Sequence, residues 1–224
     1  MYRFFFKRFF DLFLSSFAIL ILSPLLFPIV LGLLLTGEHY IFYLQERIGY
    51  KNKKFKVYKF ATMLKDSPNL GSGLHTRLKD PRILPMGHFL RKTKINELPQ
   101  LFNIFLGSMS IVGPRPLVNK TFEPYSDMVK KNIYNIKPGL SGIGSIIFRD
   151  EETLMSKSKI PLNEYYKKYI SPYKGELEIW YQQKISFFTD FMIIFLTVWV
   201  VLFPKSDLVF KVFKDLPKKP DFLK

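Results

Sequence analysis

The chain has 224 residues, enough for one sizeable domain and an appendage, and its 34 Lys and Arg against 18 Asp and Glu give a formal net charge of +16. So basic a chain favours polyanionic partners, but its 24 Phe and 12 Tyr are more typical of a membrane-lipid surface than of a nucleic-acid module, so no nucleic-acid partner is expected. The absence of Cys excludes disulfides and thiolate metal sites, and the three His have no metal-ligand spacing.

An apolar run over residues 12–35 follows a basic, Phe-rich N-terminal segment. As a helix it would extend about 36 Å, enough to cross the hydrocarbon core of a bilayer. Ser23-Pro24 lies in its middle, and proline removes a backbone donor, so we expect the helix to break there. Lys and Arg flank both ends, which favours a cytosolic location for both. The pattern predicts a re-entrant helix-break-helix; a single spanning helix is the alternative.

The polar middle of the chain begins with a strand pattern. Lys54–Phe60 alternates Lys with aromatic and aliphatic residues, which predicts a strand with Phe55 and Val57 facing inward. Residues 66–88 are rich in Gly, Pro, Asp and Ser, which predicts an irregular surface loop that contains Asp80-Pro-Arg82. Loops of this length are often functional, and a passive connection is the alternative.

A short amphipathic helix is predicted next, from Pro99 in its first turn to Gly107 at its C-terminal end. A run of buried character, 109–112, follows it and ends at Gly113-Pro-Arg-Pro116. The apolar residues at helical spacing are Leu98, Leu101, Phe102 and Phe105.

Charged residues on both sides of this helix suggest a site for a phosphorylated ligand. The cations Arg91, Lys92 and Lys94 lead into Asn96-Glu97, so a carboxylate lies close to a helix N-terminus. Helix N-termini favour anions, and an Arg such as Arg115 suits bidentate phosphate binding. A capped amphipathic helix with solvated charges is the alternative.

A second set of candidate phosphate ligands follows a predicted amphipathic helix over residues 119–135. The Gly-rich turn 137–144 precedes Arg149, and Gly-rich backbone beside an Arg can cradle phosphate. Asp150-Glu151-Glu152 follows directly, which fits a solvated charge run or a helix start.

The C-terminal part is predicted to be helical and associated with the membrane. Residues 165–184 predict a helix with Tyr, Trp and Leu on one side. The apolar run Phe187–Phe203 is short and contains Asp190, which favours an interfacial or core helix over a spanning one. The basic tail, Lys205–Lys224, suits an anionic leaflet.

Taken in order, motifs across residues 5–203 resemble those of the bacterial sugar transferases, the monotopic polyprenol-phosphate phosphoglycosyl transferases. So many motifs in one order make the resemblance specific, whereas one alone would not. The motifs that carry it are Ser23-Pro24, Gln45-x-Arg47-x-Gly49, Lys59-Phe-x-Thr-Met63, Asp80-Pro-Arg82, Phe89-Leu-Arg-Lys-Thr93, Glu97-Leu-Pro-Gln-Leu101, Met109-Ser-x-Val-Gly-Pro-Arg-Pro116 and Lys137-Pro-Gly-x-x-Gly142.

The resemblance implies transfer of a phosphosugar from a UDP-sugar to a membrane polyprenol phosphate such as undecaprenyl phosphate. UMP is released, and a surface glycan such as an exopolysaccharide or lipopolysaccharide begins. It also implies Mg²⁺ near Glu97 and a monotopic location on the cytosolic face of the bacterial cytoplasmic membrane. The residues expected to bind substrate phosphates are Arg91, Lys92, Arg115, Arg149, Arg82 and Lys59.

The sequence departs from the family pattern at two positions. Asn96 stands where the family has a nucleophilic Asp, and Ala61 stands where it has an Arg. A carboxamide is a very poor nucleophile, so a covalent intermediate on Asn96 is not expected. Four interpretations stay open. In the first, Glu97 is the nucleophile, and in the second, Asp150 or a neighbouring carboxylate replaces the missing Asp nucleophile. In the third, transfer is direct and Glu97 is the base, and in the fourth, the protein is a catalytically silent, membrane-bound partner in glycan assembly.

Together these patterns predict a helix-rich α+β fold in three parts. Residues 1–37 form the re-entrant membrane anchor, and residues 38–186 form the cytosolic phosphoglycosyl transferase domain. Residues 187–224 form an apolar interfacial helix and a basic tail on the membrane surface. The sequence does not indicate which sugar is used, which glycan pathway is served or which oligomer forms.

Overall fold

The computed structural model describes residues 2–67, 80–156 and 158–223, and within these ranges helices dominate and strands are short. The predicted helix-rich α+β class is therefore confirmed. The helices are α1 (Lys7–Leu35), α2 (Pro85–Lys92), α3 (Gln100–Leu106), α4 (Asn119–Phe122), α5 (Asp127–Asn132), α6 (Ile143–Ile147), α7 (Glu151–Ser156), α8 (Leu162–Tyr165), α9 (Ser171–Gln183), α10 (Phe187–Leu202) and α11 (Leu208–Val212). The strands are β1 (Phe42–Ile48), β2 (Lys54–Phe60), β3 (Ser110–Val112) and β4 (Gly139–Ser141).

The chain divides into two compact units that do not follow its linear order. Unit 1 comprises Met1–Asp11, Arg47–Phe55 and Gly107–Lys224, and unit 2 comprises Leu12–Glu46 and Lys56–Leu106. Helix α1 and the β1–β2 hairpin each contribute residues to both units. The three functional parts expected from the sequence stay a prediction.

Helix α1 is continuous from Lys7 to Leu35, so the expected separation into two helices at Ser23-Pro24 is not present. Pro24 has no N–H to donate to the carbonyl of Leu20, four residues earlier. The hydroxyl of Ser23 donates to that carbonyl instead, at 2.7 Å. This substitute hydrogen bond explains how the helix passes through proline.

Among the described residues, α1 is the helix long and apolar enough to cross a membrane. Most of its large side chains are exposed, including Phe13, Leu20 and Phe27. Near its C-terminal end, Ile29 and Leu33 are buried in the core of unit 2. The helix therefore offers most of its length to an apolar environment, and the re-entrant path stays a prediction.

Unit 2 is built where β2 meets α3. The side chain of Asn103 accepts a hydrogen bond from the Tyr58 amide at 2.9 Å and donates to the Lys56 carbonyl at 2.8 Å. The buried Asn103 therefore satisfies backbone groups of β2 much as a neighbouring strand would. Strand β2 itself was predicted correctly, with Val57 and Phe60 buried.

The predicted helix before Gly107 is confirmed, but its inward face differs from the prediction. Leu101 and Ile104 are buried, whereas Phe102 and Phe105 are exposed. The polar side chain of Asn103 turns inward to bind β2, and this contact sets the rotation of the helix. Gly107 ends it with a φ of 88°, a backbone conformation that favours glycine.

Irregular structure in the predicted loop 66–88 ends where α2 begins at Pro85. Residues 68–79 of that loop lie outside the described residues.

The predicted helix over 119–135 is shorter than expected, because Pro124 lies between α4 and α5. The new start is capped by the Ser126 hydroxyl, which accepts from the Val129 amide.

The core of unit 1 lies between the short β3–β4 sheet and helices α9 and α10. Both helices form where the sequence predicts them, and the internal Asp190 of α10 is buried. Its carboxylate accepts hydrogen bonds from Tyr2 at 2.8 Å and Tyr181 at 2.6 Å, and it pairs with Lys7 at 2.5 Å. The buried charge is therefore neutralised, and α10 exposes an apolar face with Phe187, Phe188, Phe191, Phe195 and Val198.

The basic tail packs onto the core of unit 1. Val209 and Phe213 are buried, and the Phe213 ring contacts Trp180 with centroids 5.1 Å apart. Lysines such as Lys211 and Lys218 on the same segment are exposed. Its expected role at an anionic membrane surface stays a prediction.

Candidate functional site

The predicted cations lie at the end of helix α2 and in the turn that follows it, just before Asn96. Arg91 and Lys92 form its last turn, where positive charge also stabilises the C-terminal end of a helix. Lys94 then takes a left-handed conformation with a φ of 61°, and Ile95–Glu97 forms one turn of 3₁₀-helix. This sharp change of direction carries the chain from α2 into Glu97.

The structure brings together two of the predicted site residues in unit 2. The ammonium of Lys59, on β2, lies 3.1 Å from Oε1 of Glu97, and the two side chains are 16% and 20% exposed. This pair is shielded enough to strengthen the charge interaction and still open to solvent. It supplies one carboxylate and one cation at a site that a ligand can reach.

Asn96 lies on the buried side of the same turn. It is 8% exposed, and within the described part of the chain its Oδ1 atom is buried without a hydrogen-bond partner. Leaving a buried acceptor unsatisfied costs about 1–3 kcal/mol. An uncharged carboxamide tolerates this surrounding better than the carboxylate that the family carries there.

The remaining cations of unit 2 differ in their surroundings. Arg91 is half-buried and donates through Nη1 to the sulfur of Met63 at 3.6 Å, while Lys92 and Lys94 are exposed. These three residues can offer positive charge to a ligand. Ala61, which stands where the family has Arg, is fully buried and offers none.

Arg82 has a different environment from the other predicted phosphate ligands. Its guanidinium donates to both carboxylate oxygens of Asp80, at 2.8 and 2.6 Å, and to the carbonyl of Ser67 at 2.6 Å. Both members of the pair are buried. This arrangement favours a structural role at the end of the loop, and phosphate binding by Arg82 stays a prediction.

Unit 1 holds the other predicted phosphate ligands, and a parallel strand pair positions them. Strand β3 pairs with β4, Ser110 opposite Gly139 and Val112 opposite Ser141. The carboxyl ends of parallel strands meet at one edge, so the turns 113–116 and 142–144 emerge side by side. A Cβ at Gly142 would overlap the carbonyl of Gly113, so the close approach of these turns requires glycine.

The Gly113–Pro116 turn is held by its backbone. The hydroxyl of the buried Tyr134 donates to the carbonyl of Arg115 at 2.8 Å and accepts from the amide of Leu117 at 2.9 Å. Burial raises the pKa of Tyr134, so this phenol keeps its proton at neutral pH. Arg47, from the Gln45–Gly49 motif, donates to the carbonyl of Pro116 at 3.1 Å. The Arg115 side chain, half-buried, therefore projects from a rigid turn.

Arg149 and Asp150 are exposed just after α6. The next residue, Glu151, pairs with the buried ammonium of Lys174 on α9 at 2.5 Å. Among the carboxylates of 150–152 whose side chains the structure describes, Asp150 is therefore open to solvent and Glu151 is engaged. The side chain of Glu152 lies outside the described residues.

Sequence reasoning missed Glu178, a carboxylate on α9 beneath the turns of unit 1. It is 2% exposed, and burial raises its pKa to about 7, against the opposing effects of Lys174 and of the Arg115 and Gly144 amides. The spacing of Lys174 and Glu178 on a face with Leu177 and Tyr181 was the available signal, since it places charge on the apolar side of the helix.

Comparison with known proteins gives one consistent result. Residues 2–204 match the family model of the bacterial sugar transferases. The chain is similar to an undecaprenyl-phosphate glucose phosphotransferase of Komagataeibacter xylinus, 36% identical over 147 residues, which are 62% of this chain and 27% of that protein.

Two further relatives cover different shares of their own lengths. A UDP-glucose:undecaprenyl-phosphate glucose-1-phosphate transferase of Escherichia coli (strain K12) is 34% identical over 188 residues, 83% of this chain and 39% of that protein. The exopolysaccharide production protein ExoY of Sinorhizobium fredii is 39% identical over 160 residues, 65% of this chain and 70% of that protein. The chain therefore spans less than half of the first two relatives and most of the third.

Proposed function

Because the chain belongs to the bacterial sugar transferase family, we propose that it transfers a phosphosugar from a UDP-sugar to a polyprenol phosphate and releases UMP. The match across residues 2–204 is the observation that carries this proposal. The names of the relatives support it, since they specify undecaprenyl phosphate as acceptor and glucose 1-phosphate as the group moved. The product would begin a surface polysaccharide.

Glu97 is the carboxylate that we assign to the chemistry. In a covalent route, a Glu97 oxygen attacks the β-phosphorus, the bond to the bridging oxygen breaks, and UMP leaves with the electron pair. An oxygen of the lipid phosphate then attacks the same phosphorus and releases the Glu97 carboxylate. In a direct route, an oxygen of the lipid phosphate attacks the β-phosphorus, the bond to the bridging oxygen breaks and UMP leaves with the electron pair. Glu97 then accepts the proton of a lipid phosphate that is still protonated.

Lys59 serves charge neutralisation beside Glu97 in either route. Phosphoryl transfer depends mainly on positioning and on stabilising spread negative charge, which cations do best at sites partly shielded from water. Lys59 lies 3.1 Å from Glu97, and Arg91 and Lys92 of the same unit add positive charge. Within unit 1, Arg115 on its rigid turn supplies a planar donor suited to binding a phosphate, and Arg149 adds positive charge there.

Magnesium is the cofactor that these donors suit. Mg²⁺ prefers oxygen ligands and is often bound by one or two carboxylates plus substrate phosphates. Glu97 offers a carboxylate that a metal ion can reach, since its side chain is 20% exposed. In the described residues no cluster of three or more acidic or His side chains forms a complete site, so phosphates would complete the coordination. Bound Mg²⁺ would neutralise pyrophosphate charge.

The membrane position follows from α1 and from the acceptor. An acceptor phosphate on a polyprenyl chain lies at headgroup depth, and α1 presents an apolar surface over most of its length. With basic residues before and after α1, we place both of its ends on the cytosolic face, as a re-entrant, monotopic anchor. Tags at both termini should react only from the cytosol, whereas a periplasmic N-terminus would contradict this path.

The activity is tested with purified full-length chain in nanodiscs, undecaprenyl phosphate, Mg²⁺ and a panel of radiolabelled UDP-sugars. UMP release together with a radiolabelled lipid product from one sugar is the expected result. Release of UMP without the lipid would indicate hydrolysis instead of transfer. No release from any common UDP-sugar would favour the catalytically silent partner in glycan assembly.

A further inference from the structure

Glu178 lies where three candidate phosphate-binding segments of unit 1 meet. Both carboxylate oxygens are sealed from solvent, and neither forms a hydrogen bond of ordinary geometry within the described residues. The amides of Arg115 and Gly144 nevertheless face the carboxylate closely enough to favour its charged form. One carboxylate therefore links two turns that are remote in sequence.

The backbone at Gly144 rests directly on this carboxylate. A Cβ at that position would overlap Oε1 of Glu178, so only glycine allows the contact. Gly144 lies in the first turn of α6, where amide N–H groups have no partner within the helix. Glu178 supplies negative charge there without entering the solvent-exposed side of the turn.

Lys174, one helical turn before Glu178, connects the third segment. Its positive charge favours the ionised form of Glu178, and its ammonium pairs with Glu151 Oε2 at 2.5 Å. Glu151 follows Arg149 by two residues. The same face of α9 therefore contacts the Arg115 turn, the start of α6 and the segment after Arg149.

We propose that Glu178 is a positioning residue, which sets the Arg115 turn and the start of α6 for phosphate binding by holding its negative charge against their backbone amides. The carboxylate is sealed, so it acts through the backbone and does not touch the substrate. Lys174 limits the cost of burying it and extends the arrangement to Arg149. Only the kinetic consequence of this assignment rests on the proposed function.

The structural half is tested by amide hydrogen exchange on the full-length chain without substrate. In Glu178→Gln at pH 8, where the wild-type carboxylate is mostly ionised, the amides of Gly113, Arg115, Leu117 and residues 142–146 should exchange about tenfold faster than in wild type, because the negative charge that faces these turns is lost. The matched control is Glu176→Gln, an exposed position on the same helix, which should leave both segments unchanged. Unchanged exchange in Glu178→Gln would overturn the proposal.

The kinetic half separates positioning from general stability. Glu178→Gln should raise KM for the UDP-sugar about tenfold with kcat nearly unchanged, because Arg115 binds substrate and transition state alike. Glu178→Asp, which retains the charge, should recover part of the loss. Faster exchange with an unchanged KM would show that Glu178 only supports the fold, and would overturn its role in binding.

A second variant keeps the test decisive if Glu178→Gln does not fold. Gly144→Ala keeps the carboxylate and its charge but pushes it away from the turn, so it should reproduce the exchange and KM changes. Normal exchange and KM in Gly144→Ala would contradict the proposed contact. If the wild-type chain releases no UMP, the proposed function fails, while the exchange measurements still decide the structural role of Glu178.

Discussion

Glu97 in unit 2 and Glu178 in unit 1 show two ways in which this chain uses a shielded carboxylate. Glu97 keeps a side-chain exposure of 20% and faces the ammonium of Lys59. Glu178 is 2% exposed and faces backbone amides. A carboxylate that reacts must remain reachable by substrate, whereas a sealed one can act only on its neighbours. The difference in exposure therefore separates the candidate for chemistry from the candidate for positioning.

Two arginines repeat this contrast. Arg82 is buried against Asp80, while Arg115 is half-buried on the turn after β3. Both belong to motifs shared with the family, so sequence alone gives them the same expected role. Their surroundings instead point to stability for Arg82 and to ligand binding for Arg115.

The largest expected effect tests the reachable carboxylate. Glu97→Gln should lower turnover by about 10²–10⁴-fold, since it removes the assigned nucleophile or base with little change in shape. UMP release and lipid product would both be measured. The exposed Glu123→Gln is the control and should retain wild-type rates. Retained activity in Glu97→Gln would show that the acting carboxylate is elsewhere, and Asp150→Asn would be measured next.

The next effect separates the two arginines by stability. Asp80→Asn should lower the melting temperature by several degrees, because it leaves the Arg82 guanidinium opposite a neutral group. Thermal unfolding in detergent measures this loss. Arg115→Gln should change stability far less and raise KM instead. A stable Asp80→Asn protein with a raised KM would indicate that Arg82 binds phosphate after all.

The buried carboxylate of Glu178 should also make the stability of the protein depend on pH. The pKa of Glu178 is raised by burial to about 7, so the folded state binds its proton more tightly than the unfolded chain. Its contribution is fully present at acidic pH below about 4.5 and is lost as pH rises to about 7, a change of about 2–3 kcal/mol.

The difference in unfolding free energy between wild type and Glu178→Gln, measured from pH 4 to 8, isolates this contribution. The groups that face Glu178 are Lys174 and the phenols of Tyr125 and Tyr134. Burial raises the pKa of each phenol, so both phenols stay neutral over this range. The wild type should lose stability relative to the variant as pH rises. A flat difference curve would indicate that Glu178 is already ionised throughout.

The smallest effect concerns the proline in α1. Ser23→Ala should destabilise the protein by about 1 kcal/mol, because it removes the donor that replaces the missing amide of Pro24 at the Leu20 carbonyl. Ser16→Ala is the matched control, since the Ser16 hydroxyl also donates to a helix carbonyl, that of Leu12, at 2.7 Å. Equal melting temperatures for the two variants would show that Ser23 has no special role.

Local signals predicted much of the fold. Strand β2 and helices α3, α9 and α10 follow from periodicity and from Pro or Gly at their ends, which act within a few residues. Helix α1 continues through Ser23-Pro24 instead of dividing into two helices, since a serine hydroxyl bonds the carbonyl that the proline leaves without an amide donor, and the re-entrant path stays a prediction. The helix predicted over 119–135 was too long because Pro124 interrupts it.

Long-range contacts account for most of what the sequence did not reveal about the site. The pairing of β3 with β4 joins residues about thirty positions apart and places two turns at one edge. Nothing local in the residues around Glu178 or Gly144 reports that they meet. For Arg82, the partner is two residues away, but its burial depends on the fold. The sequence therefore predicted the types of the candidate residues. It did not predict which of them would be reachable by a ligand and which would stabilise the fold.

The ion pair between Lys7 and Asp190 joins the first residues of the chain to its last long helix, 183 positions later. During synthesis, the start of α1 emerges long before its anchor exists. Until α10 has left the ribosome, α1 lacks every contact through Asp190, although its Asp11 can already accept hydrogen bonds from Ser110 and Ile111. We therefore expect a nascent chain that stops short of α10 to associate with membranes through α1 but to be extracted more easily than the full chain.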